Sequence, residues 1–528
     1  YNVMANHTNR KYPVGIQSFT EIREQGYLYV DKTDIVWNLV NNGKKYNYLS
    51  RPRRFGKSVL VDTLQAYFEG RRELFEGLRI MQLEKHWTCR PVVRLDMSSA
   101  GAEADSIKAY LDDVFHQYEL KYDVEVRPLA SLAVRLKNII GTAYERTGEK
   151  VAVLIDEYDS PLQHSWHTPH HEACTNVYRE VFAVLKMQDA KQYFVFITGI
   201  TKFTQISLFS VLNNLSNISF DPQYAAICGI TSDEALACCM PEITDMAEAN
   251  KWSVDETVAN LKEYYDGYHF SPENMVDIYN PFSLINALCD KRLRNYWAAS
   301  GATSLINKFV DNFEVRLEDF EECEIMRNTL ETSDVTGGGA ILFLYQSGYL
   351  TIKSCDDYGY ILGIPNKEVR QALNEMVLPA LTLRKEDDIQ SLQASLFRQL
   401  NMGMTDDAEK SMKALIADVP YSNKKLASMD MEERYRLIIS TILNAVGIRV
   451  EVERMLAGGR IDIVAWTSHY IYVMELKLSN NGGVLAAEKQ IKDCGYMEPF
   501  KAYKRDVVAL AVELDAQGKG LVGWKRVE

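Results

Sequence analysis

The stretch from Tyr46 to Phe68 constrains this chain more than any other. Tyr46-Asn47-Tyr48-Leu49 reads as a short apolar strand, and Ser50-Arg51-Pro52-Arg53-Arg54-Phe55-Gly56-Lys57-Ser58 as a tight loop. Val59 to Phe68 follows as an amphipathic helix. Strand, loop, Gly-Lys-Ser and helix in that order make a phosphate cradle, because backbone N–H groups and a helix N-terminus converge on one point. In such a cradle the loop backbone around Arg54, Phe55, Gly56 and Val59 faces the phosphates. Lys57 reaches the β and γ oxygens, and the Ser58 hydroxyl holds Mg²⁺. The implied ligand is a nucleoside triphosphate, ATP with Mg²⁺. The loop departs from G-x-x-x-x-G-K-[ST] at its first glycine, where Arg51 stands.

A short Gly-Lys-Ser alone is weak, so a second element is required: a strand ending in acid to bind the metal. Val151-Ala152-Val153-Leu154-Ile155-Asp156-Glu157-Tyr158-Asp159 supplies it. Its apolar run reads as a buried parallel strand, and Asp156 sits at the C-terminal end, where ligands bind in open α/β sheets. Asp156 is expected to hold Mg²⁺ through its water shell and Glu157 to polarise the attacking water. The competing reading is a buried strand capped by solvated acids. In a further strand, Tyr193 to Gly199, Thr198 is a candidate γ-phosphate sensor or a cap for the next turn. Arg51, Arg53 and Arg54 add charge to the phosphates, reach a neighbouring subunit as a finger, or form a solvated basic loop.

The C-terminal end carries a second constellation. Arg460 to Trp466 and Tyr470 to Leu478 read as two strands joined by a Thr467-Ser468 turn. Side chains alternate along a strand, so Glu475 and Lys477 share one face. Asp462, Glu475 and Lys477 then form a compact acid–acid–lysine group. Two carboxylates suit Mg²⁺ or Mn²⁺; the ion activates a water and stabilises charge on a phosphodiester while Lys477 orients the nucleophile or phosphate. Glu432 or Glu433, opening a helix, adds a third acid. A helix from Ala486 to Tyr496 places Gln490 and Tyr496 at the site or beneath it. The alternative is an exposed hairpin with a salt-bridged Glu475–Lys477 face.

Composition bounds these readings. The 528 residues suffice for two to four domains. No apolar run approaches the ~20 residues of a membrane span. Tyr1-Asn2-Val3-Met4 shows no charged-then-apolar leader pattern, so the expectation is a cytoplasmic protein with no membrane partner. Nine cysteines without a Cys-x-x-Cys pair indicate neither a disulfide framework nor a zinc site. His164, His167, His170 and His171 read as a polar loop rather than zinc ligands. The net charge of −13 excludes a protein that coats nucleic acid through bulk charge. A nuclease would need a local basic patch, for which Lys489, Lys492, Lys501, Lys504 and Arg505 are candidates.

Along the chain, residues 1–225 alternate strands and helices, as in a mostly parallel sheet covered on both sides. Residues 226–290 read as a helical lid, with Tyr265-Asp266-Gly267-Tyr268 as a tight turn. Residues 291–425 read as a helical, winged-helix-like middle region, with a joint at Gly337-Gly338-Gly339 and a hairpin formed by Ile341–Leu344 and Tyr349–Ile352. Residues 426–528 form the final domain.

Several stretches together resemble the bacterial AAA-ATPase-like family, a P-loop group commonly fused to a nuclease-like domain. They are Tyr12 to Phe19, Tyr27 to Thr33, Arg51 to Ser58, Leu154 to Asp159, Thr198-Gly199-Ile200, Tyr265 to Tyr268 and Tyr279-Asn280-Pro281-Phe282-Ser283. The Arg51 departure looks like that family's own form of the loop. The last hundred residues resemble the PD-(D/E)XK nuclease superfamily. That resemblance implies catalytic positions for Asp462, Glu475 and Lys477, with Glu432 or Glu433 as the first-helix acid and a restriction-endonuclease-like α/β fold. Gly459-Arg460-Ile461-Asp462 departs from the literal Pro-Asp. The expectation is an ATP-binding ATPase coupled to a metal-dependent nuclease acting on DNA or RNA. The alternative is an ATP-dependent switch, or an assembly protein forming a homo-oligomer, whose C-terminal domain binds without cutting.

Overall fold

The computed structural model describes residues 10–126, 129–166, 168–201, 215–297, 323–332, 339–373, 386–417, 430–456, 458–467, 469–501, 503 and 505–527. Those up to 297, with 323–367, form one compact unit; those from 368 onward form a second. Among the described residues, no helix is long and apolar enough to cross a membrane.

The first unit is built on a parallel sheet. Its strands are β1 (Tyr46–Ser50), β2 (Val92–Asp96), β3 (Val151–Asp156), β4 (Gln192–Gly199) and the short β5 (Ser216–Asn217), ordered β2-β3-β4-β1-β5. Every residue of β3 is buried, as a central strand covered on both faces requires. Register pairs Ser50 with Gly199 and Asp96 with Asp156, so the strand ends and their loops gather at one edge. There Gly56 adopts φ 87°, in the left-handed region where a side chain is strained. It turns the chain into the helix Lys57–Phe68.

Helices Ser232–Asn250, Val254–Tyr265 and Pro281–Asp290 follow, with the short antiparallel pair β6 (Ile230–Thr231) and β7 (Ile278–Tyr279). An antiparallel sheet of β8 (Cys323–Met326), β9 (Thr351–Cys355) and β10 (Gly359–Gly363) completes the unit, in the order β8-β10-β9. The strand expected at Ile341–Leu344 is instead part of a helix, Gly339–Ser347. Leu342, Phe343 and Leu344 are all buried, and a short run that is apolar at every position carries no period to separate strand from helix. The hairpin lies later, between β9 and β10. Gly337 and Gly338 are outside the described residues.

The second unit holds a mixed sheet of β11 (Arg449–Leu456), β12 (Gly459–Trp466), β13 (Tyr470–Leu478), β14 (Asp506–Leu514) and β15 (Leu521–Val527), in sequence order. Only the β13–β14 pair is parallel. The helix Met431–Ala445 covers one face, packing Ile438, Ile442 and Leu443 with Ile463, Met474 and Leu476. The helix Gly483–Asp493 covers the other, where Ala487 and Ile491 meet Val464 and Val473. The chain is α/β in both units.

Candidate functional site

At the sheet edge of the first unit, the Lys57 ammonium donates to the carbonyl oxygens of Arg51 at 3.0 Å and Pro52 at 2.9 Å. Burial pushes its pKa down, opposed by Glu157 and Asp156. Burial also pushes the Asp156 carboxyl up, against the Ser58 hydroxyl and Lys57. Asp156 Oδ1 accepts the Glu157 N–H at 3.0 Å, while Oδ2 is buried without a hydrogen-bond partner among the described residues. A buried, unpartnered carboxylate oxygen beside a hydroxyl is a donor set that a divalent cation fits. Glu157 sits at φ 44°, a left-handed backbone unusual for a residue with a side chain. Burial raises its carboxyl as well.

Two of the arginines are engaged within the protein. Arg51 is 1% exposed. Its guanidinium donates to the carbonyl oxygens of Ser50, Ser219 and Tyr224 and stacks on Phe270 at 4.2 Å. Burial pushes its pKa down to about 10. Arg54 lies 3.8 Å over the Phe282 ring. Phe55 is fully buried and meets Tyr268 and Phe270 edge-on, so its side chain belongs to the core. Thr198 donates its hydroxyl proton to Leu49 O at 2.9 Å, tying β4 to β1. The loop after β4 is organised by Asp159, whose Oδ2 accepts the N–H groups of Ile200 and Thr201, the Thr201 hydroxyl and the Gln163 amide.

In the second unit the ladder between β12 and β13 runs from Trp466↔Ile471 to Ile463↔Met474 and stops. Past that point the Asp462 carboxylate takes over: Oδ2 accepts the Leu476 N–H at 2.9 Å. Asp462 and Glu475 therefore meet where the strands part. Lys477 Nζ lies 2.9 Å from Glu475 Oε1 and 3.4 Å from Glu432 Oε1. Arg436 reaches Asp462 Oδ1 at 3.4 Å and Glu453 at 3.0 Å. Gln490 donates to the Tyr496 hydroxyl at 3.1 Å, and that hydroxyl donates to Arg460 O at 2.8 Å. Glu432, Arg436, Arg460, Asp462, Glu475, Lys477, Gln490 and Tyr496, with Asp430, Glu433, Gly459 and Cys494, line a cavity of about 370 Å³.

Glu475 is 1% exposed, and its Oε2 has no partner among the described residues. Burial, then the nearby Asp462 charge, raises its pKa to about 7 against the pull of Lys477. Among the described residues no group of three or more His, Cys, Asp or Glu is arranged to hold a metal. An ion here would rest on Asp462 and Glu475, completed by water or backbone oxygen, and the unpartnered Oε2 fits such an ion. The histidine stretch is otherwise engaged: His164 bonds Ser160 O and His171 bonds the Ser165 hydroxyl. His167 is outside the described residues.

Residues 13–209 match the family model described as "Predicted AAA-ATPase", and residues 430–524 match that of the PD-(D/E)XK nuclease superfamily. A protein of Azotobacter chroococcum mcd 1, named "Uncharacterized protein in vnfD 5'region", is 31% identical over 540 residues. The alignment covers 98% of this chain and 99% of that relative. This chain belongs to the AAA-ATPase-like family with a C-terminal PD-(D/E)XK nuclease superfamily domain.

Membership supports a general ATPase plus nuclease-like role. In this AAA-ATPase-like chain the residues that sequence reading missed are second-layer ones. Asp159 stood in view, three residues after Asp156, but nothing in the sequence shows that it reaches the loop after β4. Arg436 was hidden in a helix with several charges, and only the fold brings it to Asp462.

Proposed function

We propose that the protein is an ATPase whose nucleotide state governs a metal-dependent phosphodiesterase on nucleic acid. On the nucleotide side, Gly56, Lys57 and the start of the following helix hold the triphosphate, Ser58 and Asp156 hold Mg²⁺, and Glu157 orients the attacking water. Binding ATP requires Lys57 to exchange the Arg51 and Pro52 carbonyls for phosphate oxygens. On the nuclease side, Asp462 and Glu475 hold the ion, which would activate a water and offset charge on the scissile phosphate. Lys477 orients the water or phosphate. Glu432, through its contact with Lys477, is favoured over Glu433 as the helix acid. Gln490 positions the Tyr496 hydroxyl at the cavity wall.

The observation that carries this reading is the Glu475 carboxylate, buried, raised and half unpartnered beside Asp462. The test is cleavage of labelled single- and double-stranded DNA and RNA in Mg²⁺ or Mn²⁺, with and without ATP. Cutting by the parent and not by Glu475→Ala is expected, with a rate that responds to ATP. No cutting of any substrate would overturn the nuclease half and leave a nucleotide-dependent switch or assembly protein.

A further inference from the structure

The second unit carries a cationic, aromatic surface apart from its metal-site residues. The side chains of Arg449, Arg454 and Arg505 all lie around the Trp466 ring, at 5.5, 5.9 and 5.9 Å from its centre. Arg454 also lies 4.8 Å over Phe500. Tyr503 meets Trp466 edge-on at 5.1 Å and is 49% exposed. Trp466 itself is 8% exposed, so it anchors the arginines while Tyr503 presents the open ring. One carboxylate, Glu451, pairs with both Arg449 and Arg454. Among the described residues no carboxylate lies within ion-pair distance of Arg505. Three guanidinium groups thus share one acid, in a chain of net charge −13.

Two of the lysines expected to serve this purpose are otherwise engaged. Lys492 pairs with Glu488 and Lys501 with Glu498; Lys504 is outside the described residues. The arginine cluster is also connected to the candidate cutting site. Trp466 and Asp462 lie four residues apart on β12, about 13 Å along a strand. Trp466, Phe500 and Tyr496 belong to one apolar cluster, and Tyr496 is a wall of the cavity.

We infer that Arg449, Arg454, Arg505 and Tyr503 form a docking surface for single-stranded nucleic acid, feeding the strand toward Asp462 and Glu475. The chemistry is specific to an unpaired strand. Guanidinium groups take successive backbone phosphates, and an exposed ring stacks on a base only when that base is free of its partner. A duplex offers phosphates but no open base faces. The inference rests on the nuclease reading for its purpose, not for its test.

The test is fluorescence anisotropy with labelled single strands and duplexes, using full-length Glu475→Ala protein in EDTA so that no cutting interferes. Tyr503→Ala should weaken single-strand binding about tenfold, and Tyr503→Trp should retain it. The combined Arg449→Ala, Arg454→Ala and Arg505→Ala protein should lower the slope of log affinity against log salt by about 2. Because Arg454 also packs on Phe500, Arg505→Glu alone serves as a second variant at an exposed position. ATP binding and circular dichroism check folding. Equal binding of duplex and single strand, or unchanged affinity in the Tyr503 and Arg505 variants, would overturn the docking surface even where the parent cuts. Binding that depends on these residues in a parent that never cuts would support the surface and sink the nuclease reading instead.

Discussion

The Asp462 carboxylate accepts the backbone N–H of Leu476 at 2.9 Å, standing in for a ladder bond where β12 and β13 part. One side chain therefore splits the sheet and faces the cavity. The two roles separate by substitution. Asp462→Asn keeps an oxygen acceptor for Leu476 but loses the charge a divalent ion needs. Asp462→Ala loses both and leaves a buried N–H unpaired, which costs about 1–3 kcal/mol. Both variants should fail to bind Mn²⁺ by calorimetry, while only the alanine variant melts early. Equal melting of the two would contradict the splitting role.

Glu475 makes stability depend on pH. Its carboxyl titrates near 7 in the fold, against about 4.5 ordinarily. Across that window the folded chain keeps a proton the unfolded chain has released, so stability falls as pH rises and levels off above about 7. Glu475→Gln cannot exchange that proton. In EDTA, the unfolding free energy of the parent relative to this variant should decline between pH 5 and 8, by at most about 1.4 kcal/mol per unit. Denaturant titrations at both pH values measure it. A difference that stays constant with pH would show that Glu475 ionises normally.

At the nucleotide site, Glu157 and Thr198 should behave differently. Glu157→Gln preserves size and hydrogen bonding while removing the group proposed to orient water. ATP hydrolysis should fall by about a hundredfold or more with binding of ATP nearly unchanged. Thr198→Val removes a hydroxyl already bonded to Leu49 O, so its cost should be about 1 kcal/mol of stability. Steady-state hydrolysis and nucleotide titration of both variants decide the matter. A large loss of turnover in the Thr198 variant would support its role as a phosphate sensor.

Much of this was legible because the strongest signals were local. The β3 run from Val151 to Asp156, the β1–loop–helix unit and the alternation through Glu475 and Lys477 are short-range patterns. Each admits few backbone solutions. What stayed hidden depends on long-range approach. Asp159 reaches residues 200 and 201, and Arg51 reaches Ser219, Tyr224 and Phe270. The Trp466 cluster joins three separated segments. Ile341–Leu344 failed for the opposite reason: its apolar run has no period, so local pattern alone favoured the wrong element.

Arg51 gives the most counterintuitive prediction. It occupies the first glycine position of the phosphate-loop pattern, so Arg51→Gly would make the sequence a better match to that pattern. The structure argues for damage. The guanidinium supplies hydrogen bonds to Ser219 O and Tyr224 O, stacks on Phe270 and fills space at the back of the loop. Its own carbonyl also holds Lys57. Glycine would leave the buried Ser219 carbonyl without a donor, leave Tyr224 O with the Ile227 N–H alone, and open a cavity, for a combined cost of about 3 kcal/mol or more. Added backbone freedom would loosen the loop further. Arg51→Gly should therefore melt several degrees lower and bind ATP more weakly, whereas Arg51→Lys, lacking the planar fork, should fall between. Thermal melts and nucleotide titrations on the three proteins test this. An Arg51→Gly protein that binds ATP as tightly as the parent and melts with it would show that the buried guanidinium is dispensable.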